Sequence, residues 1–371
     1  MGGQSVLWPP ILAVHEVLPA IEIQDMKHTR RSTYIVLVIW TVIAFALDLS
    51  LGSVAVPVGD VVRILLGYPP ARASWETIIL TIRLPKALTA ALAGAALATS
   101  GLQMQTLFRN PLAGPFVLGI SAGASLGVAL VVVGAGTVSF LAVQRAFLGH
   151  MSVALAASVG AFAVMTLILA IARQVRSSSA LLIIGLMIGY GAGALVSLLL
   201  YFARAEEVQA YVVWTFGSFG GVTWPQLRIL ALAVGLGLAL AIGSMKSLNA
   251  LLLGETYAVS LGVSVTRART LLLISTALLA GSVTAFCGPI AFLGVAVPHL
   301  ARGLLRTSDH RALVPGVILV GALVALMADI VATLPGRATV LPLNAVTSLL
   351  GAPVIVWIMI QQQRSSPAEG L

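Results

Sequence analysis

Charged residues punctuate this chain at intervals suited to a lipid bilayer. Residues 87–108, between Lys86 and Arg109, carry no charge. The same is true of 151–172, which ends at Arg173, of 177–203, between Arg176 and Arg204, and of 338–363, between Arg337 and Arg364. A helix crossing the hydrocarbon core takes about 20 apolar residues, so each stretch is long enough for one span. Two longer uncharged stretches, 110–144 and 270–301, must also hold a turn. Divided at their Gly and Pro breaks, the runs predict ten helices: 34–51, 84–108, 115–134, 149–172, 178–203, 225–245, 266–287, 293–306, 308–333 and 342–363. The eighth is short for a span.

Composition points the same way. Hydrophobic residues make up 59% of the 371 and charged residues only 9%, with a mean hydropathy of +1.05. A soluble domain carries about 25% charged residues, so lipid is the solvent for most of this surface. The net charge of +9 does not indicate nucleic acid. A nucleic-acid surface gathers its basic groups on one wet patch, whereas here they lie between apolar runs. The single cysteine, Cys287, leaves no partner for a disulfide within the chain and no cysteine cluster for a metal.

Lys and Arg are biased toward cytoplasmic loops. With the N-terminus inside, the inner segments hold the larger share of the 21 basic residues, among them Lys27, Arg30, Arg31, Arg109, Arg173, Lys246 and Arg267. Trp75, Trp214 and Trp224, with Tyr68 and Tyr211, then fall near outer boundaries, where amphipathic rings settle. Both termini come out cytoplasmic. Residues 1–33 form an N-terminal extension, 34–363 a single membrane domain and 364–371 a tail. Residues 1–25 lack a basic n-region and are broken by prolines, which excludes a signal peptide. They are expected to be dispensable, with Met26 the natural start.

Several chemistries are missing. None of the three lysines ends a G-x-x-x-x-G-K-[ST] phosphate loop, so the chain does not bind ATP that way. There is no H-E-x-x-H, and no paired carboxylates are seen along the sequence. Asp48 and Asp329 sit near helix ends. An ion-coupled secondary carrier keeps ionisable groups at mid-membrane, and a membrane-embedded enzyme needs clustered catalytic groups there. Neither is visible, so uphill transport must draw its energy from a partner.

Small residues recur at three- and four-residue spacing in "LTAALAGAALATSG" (88–101) and "GISAGASLG" (119–127), which lets helices approach closely. The segments 88–124 and 272–303 each run a small-residue helix into a Pro/Gly turn and a second helix. The first descends inward and the second outward. Helices two to five and seven to ten are therefore expected to form an inverted repeat, a known transporter design.

Five collinear strings carry a specific resemblance: "RLPKALTAALAGAALATSGLQMQTLFRNPLAGPFVLGISAGASLG" (83–127), "LNALLLGETYAVSLGV" (248–263), "GPIAFLGVAVPHLAR" (288–302), "SDHRALVPG" (308–316) and "LPLNAVTSLLGAPVIVWIM" (341–359). They resemble the FecCD permease family, the membrane subunits of ABC importers for ferric siderophores, haem and cobalamin. The resemblance implies an all-α, ten-helix subunit of the bacterial inner membrane. It implies a homodimer with two cytoplasmic ATPase subunits and one periplasmic or surface binding protein. The chain itself would be non-catalytic and hold no cofactor or metal, with ATP and Mg bound by the ATPase. Among cargoes, an iron chelate such as haem or a ferric siderophore is the first expectation and cobalamin the alternative.

Site roles follow from the same resemblance. The loop 248–264 would dock on the ATPase. Gly254 and Gly262 permit its turns, Glu255 suits the positive end of a short helix, and Ala258 and Leu261 are spaced to share an apolar face. The cytoplasmic gate would come from "RNPLAG" and "RSSSA", with Asn110, Leu112, Ser178 and Ser179 as its residues. The fifth helix would line the pathway through Gly185, Gly189 and Gly193. Arg63, Arg72 and Arg337 would grip the binding protein. Here the chain departs from the family pattern. Thr333 stands where an arginine is common, and Val340 where a glutamate is common, so Arg337 is the expected substitute for the first. His299, in "VPHLAR", is expected to be structural rather than a haem ligand.

Overall fold

A computed structural model describes residues 20–134, 151–175, 177–333 and 339–365. Helices dominate it: α1 (Ala20–Ser50), α2 (Val58–Leu65), α3 (Ala73–Thr77), α4 (Leu84–Leu107), α5 (Ile120–Gly134), α6 (Met151–Ala172), α7 (Ser178–Tyr201) and α8 (Ala205–Thr215). There follow α9 (Trp224–Gly243), α10 (Met245–Leu252), α11 (Glu255–Ser260), α12 (Val265–Thr276), α13 (Ser282–Cys287), α14 (Leu293–Leu305), α15 (His310–Thr333) and α16 (Leu343–Ser365). A π-helical turn, Ala277–Gly281, joins α12 to α13, and another, Ile78–Arg83, leads into α4.

Among the described residues a helix stands at each of the ten predicted positions. Seven are long and apolar enough to cross a membrane, and Ile120–Gly134, Leu293–Leu305 and Leu343–Trp357 are shorter apolar helices. They alternate in direction. At one end, Thr106 meets His310, Val175 meets Arg269 and Tyr34 meets Ala312. At the other, Lys86 meets Asp329, Trp224 meets Leu80 and Phe216 meets Asn344. These are called below the Glu255 end and the Lys86 end. α4 and α12–α13 run in opposite senses, as the expected repeat requires. Residues 1–19 and 366–371 lie outside the described residues. α1 begins at Ala20, well before the expected start at 34, because no Pro or Gly interrupts the chain from there to Ser50.

The short eighth helix has a physical reason. Its 13 residues span about 20 Å, less than the ~30 Å hydrocarbon core. The irregular segment before it makes up the rest inside the protein rather than against lipid. There Ala291 N donates to Asn344 Oδ1 at 3.1 Å and Ser218 N to Cys287 O at 2.8 Å.

Buried residues fall into two clusters. The first joins α1, α4, α9, α14 and α15 through residues such as Leu97, Leu230, Val297 and Val317. The second joins α5, α6, α10, α11 and α12 through Ile120, Ile168, Leu248, Ala258 and Leu272. α4 is the axis of the first, buried from Ala93 to Leu107 without interruption. Its small residues allow this. A Cβ on Gly101 would stand 1.6 Å from the Gly294 carbonyl oxygen of α14, and one on Gly94 would stand 2.1 Å from that of Gly321 on α15.

Gly101→Val is therefore expected to push α4 off α14 and cost about 1–3 kcal/mol or more, as overpacking does. Thermal unfolding of the detergent-solubilised protein measures it. Gly303→Ala, whose added carbon meets nothing within 4 Å, serves as the control and should not lower the midpoint.

Candidate functional site

At the Glu255 end the chain closes a turn before α11. Gly254 (φ 107°) precedes the helix and Gly262 (φ 79°) follows it, both in the left-handed region that favours glycine. Glu255 is the first residue of α11 and Ala258 is buried beneath it. Leu261 lies past the last helical turn and faces outward. The structure thus separates Ala258 from Leu261, because helical spacing no longer holds where the helix has ended. The outward apolar surface is instead Leu253, Tyr257, Val259 and Leu261, each more than 60% exposed.

Glu255 reaches inward. Its Oε1 accepts from Ser178 Oγ at 2.6 Å and from Arg269 Nη2 at 3.1 Å. Arg269 Nη2 also donates to Ser178 Oγ at 3.2 Å, and Nη1 to the Val175 carbonyl at 2.9 Å. Three places are tied at one point: the start of α11, the first turns of α12, and Val175 with Ser178 at the facing ends of α6 and α7. The Arg269 side chain is only 6% exposed. A guanidinium taken out of water is costly unless paired, and Glu255 supplies the opposite charge.

Ser178 and Ser179 open α7, behind Ser177, whose Oγ caps the helix by accepting from Ala180 N. Together with Phe108, Arg109, Glu255 and Thr256 they line a crevice of about 560 Å³. The predicted gate serines and the predicted docking glutamate therefore share one cleft. The second predicted gate segment flanks it. Asn110 Oδ1 accepts from Leu112 N at 2.9 Å, which shapes the turn and leaves Leu112 exposed. His299 Nε2 holds the same turn by its bond to the Pro111 carbonyl at 2.8 Å, the structural role expected of it. Behind the turn, Arg302 donates to Gln105 at 2.7 Å.

A second polar chain fixes α10. Asn249 Nδ2 donates to Asp309 Oδ1 at 2.6 Å, and Asn249 Oδ1 meets His310 Nδ1 at 2.7 Å. The amide of Arg311 and the Asn249 side chain both bond Asp309 and hold its carboxyl below the usual carboxylate range.

The predicted pathway glycines divide. Gly185 packs against Leu118 and Gly189 against Gly119, so both let α7 lie close to the segment before α5. Gly193 has open space above it. Around it α7 exposes Met187, Tyr190, Leu195 and Leu198.

At the Lys86 end, Arg63 in the last turn of α2 and Arg72 before α3 are both exposed. Asp60 Oδ1 accepts from Ala71 N at 3.3 Å and folds the intervening loop back on α2. The Arg72 guanidinium stands 5.3 Å over the Trp75 ring. Arg337 lies outside the described residues.

One reading of the sequence needs correction at this end, for carboxylates do pair in space. Lys86 Nζ lies 2.8 Å from Asp329 Oδ2 and 3.9 Å from Asp48 Oδ1, and it donates to Thr333 Oγ1 at 2.8 Å. Both carboxylates are buried. Arg83, also buried, donates to the carbonyls of Leu49 and Ser50 at 2.8 and 2.9 Å and to that of Val54. A scan for local motifs misses this group because α1, α4 and α15 each contribute one member. The sequence did hold a signal: Arg83 and Lys86 flank a long apolar run, and neither buried cation is stable alone. Arg269 was missed for a similar reason, although a cation near the start of a helix opposes the dipole and calls for a carboxylate.

The model of the FecCD transport family matches residues 40–361. The vitamin B12 import system permease protein BtuC of Citrobacter koseri is 38% identical over 290 residues, covering 78% of this chain and 84% of that protein. BtuC of Salmonella typhi is 38% identical over the same share of this chain and 85% of its own length. A solved structure described as an inward-facing conformation of a metal-chelate type ABC transporter superposes with a TM-score of 0.76 at 27% identity, covering 88% of this chain and 98% of that one. With matches this long and in order, the chain belongs to the FecCD transport family of ABC-importer permeases.

Proposed function

We propose that this permease moves a corrinoid of the cobalamin class inward, working as a homodimer with two ATPase subunits and one binding protein. The observation that carries the cargo is the 38% identity to vitamin B12 permeases over 78% of the chain. It displaces the first expectation, an iron chelate, to second place. The structural neighbour, described as a metal-chelate transporter, keeps that second reading in view.

Packing supports the dimer. α4, buried from Ala93 to Leu107, fills the middle of the first cluster and leaves a bulky solute no route there. The path has to be shared with a second copy, and α7, with its exposed Met187, Tyr190 and Leu198, is the wall offered to it. The Glu255 end faces the cytoplasm, following the positive bias of its loops. There Leu253, Tyr257, Val259 and Leu261 meet the ATPase, while Arg63 and Arg72 meet the binding protein outside. In this scheme the chain binds no ATP and performs no chemistry.

The test is reconstitution of the full complex in proteoliposomes. ATP-dependent uptake of cyanocobalamin in excess of haem and ferric siderophore is expected. Uptake of a ferric siderophore alone would move the assignment to iron, and uptake by the permease without its ATPase would overturn the scheme.

A further inference from the structure

α6 and the α12–α13 helix diverge around the π-helical turn and leave a groove of about 550 Å³. Its walls are apolar: Phe162, Met165 and Leu169 on one side, Ile274, Ala277 and Leu278 on the other. The hydroxyls that border it are occupied. Ser158 donates to the Ala154 carbonyl at 2.7 Å, Thr166 to that of Phe162 at 2.8 Å, and Ser282 to that of Leu278. A polar solute would find no free donor there. From Ser158 to Leu169 the groove runs about 17 Å at 1.5 Å per residue, close to one leaflet of a ~30 Å core.

Each wall leads to an arginine at the Glu255 end. Arg173 stands one turn beyond Leu169, and Arg267 lies two turns before Ile274 on the same helix face. Both are exposed, and among the described residues neither joins an ion pair. The bond from Arg269 Nη1 to the Val175 carbonyl holds the end of α6 against the first turns of α12, which puts both arginines at the same end of the groove. An apolar slot one leaflet deep under two unpaired cations matches a molecule with a hydrocarbon tail and an anionic head.

We propose that this groove binds an anionic phospholipid, its acyl chain along Phe162 and Leu278 and its phosphate between Arg173 and Arg267. Basic pockets between helices at the cytoplasmic side are suited to such headgroups. A second copy of the chain fits less well, because a two-fold contact would set arginines against arginines at the same depth.

The test is native mass spectrometry of the purified full chain in detergent, titrated with dioleoyl phosphatidylglycerol or dioleoyl phosphatidylcholine. Phosphatidylglycerol should be retained in preference. The double variant Arg173→Gln/Arg267→Gln should weaken it about 25-fold, at roughly fivefold per arginine, and leave phosphatidylcholine unchanged. Thr166→Phe, on the exposed wall, should fill the slot and lower retention of both lipids while the protein stays monodisperse. Equal retention of the two lipids would overturn the proposal, as would a double variant that binds like the parent. So would a Thr166→Phe protein that changes oligomeric state but keeps its lipid, which would make the groove a contact between copies. No cargo or ATPase enters the assay, so its failure is distinct from failure of the transport scheme.

Discussion

Glu255→Arg is expected to leave a folded, membrane-inserted permease whose ATP-driven uptake falls to background. The wild-type carboxylate neutralises the buried Arg269 guanidinium 3.1 Å away and accepts from Ser178 at 2.6 Å. Reversal places two cations together and removes the acceptor that ties α11 to the start of α7. The introduced guanidinium can swing into water, since residue 255 lies at the surface, and Arg269 keeps its bond to the Val175 carbonyl. The fold survives, but α11 no longer holds Ser178 at the start of α7. Uptake into proteoliposomes reads the loss, and co-purification of the ATPase separates lost coupling from lost docking. The double variant Glu255→Arg/Arg269→Glu restores opposite charges and should recover part of the activity. Undiminished uptake by the single variant would refute the tie.

Lys86→Met should have the largest effect on stability. It removes the ammonium between two buried carboxylates and leaves Asp48 and Asp329 facing one another without their shared cation. Removing one partner from a buried ion pair costs about 3–5 kcal/mol, because the charge left behind is desolvated and unpaired. Against a typical total of about 5–15 kcal/mol, that is enough to reduce the amount of folded protein in the membrane. Midpoints from thermal unfolding in detergent measure the loss. Adding Asp48→Asn and Asp329→Asn to Lys86→Met removes the stranded charges and should return most of the stability. If the triple variant were no better than the single one, the loss would lie in packing of the lysine stem rather than in charge.

The spans were legible because hydrocarbon thickness imposes its own ruler on the sequence. Lys86, Arg109, Arg173 and Arg204 mark boundaries that the structure keeps within a few residues. The glycines of α4 were legible as packing residues, and the turn around Glu255 as a special segment. What stayed hidden was pairing at long range. Nothing near Asp48 announces Lys86 or Asp329, and nothing near Ser178 announces Glu255, since helix ends meet only after the bundle has closed. Spacing also misled where a helix stops. Ala258 and Leu261 looked like one face, but α11 ends at Ser260 and the chain turns Leu261 outward. The split among Gly185, Gly189 and Gly193 depends on where the 115–119 segment lies, which no local pattern encodes.

The two buried clusters set the mechanics of the subunit. Around Gly94 and Gly101, backbone rests on backbone, and such a joint has no side chains to re-pack, so it is stiff. The second cluster has a joint of the same kind, since a Cβ on Gly127 of α5 would stand 2.1 Å from the Ala156 carbonyl oxygen of α6 and one on Gly160 would stand 2.0 Å from that of Gly123. Ala258, beneath α11, is packed into this cluster with Ile168, Leu181 and Leu248. Backbone-to-backbone joints thus stiffen both clusters, α4 against α14 and α15 in one and α5 against α6 in the other, so α11 rests on a rigid pair of helices.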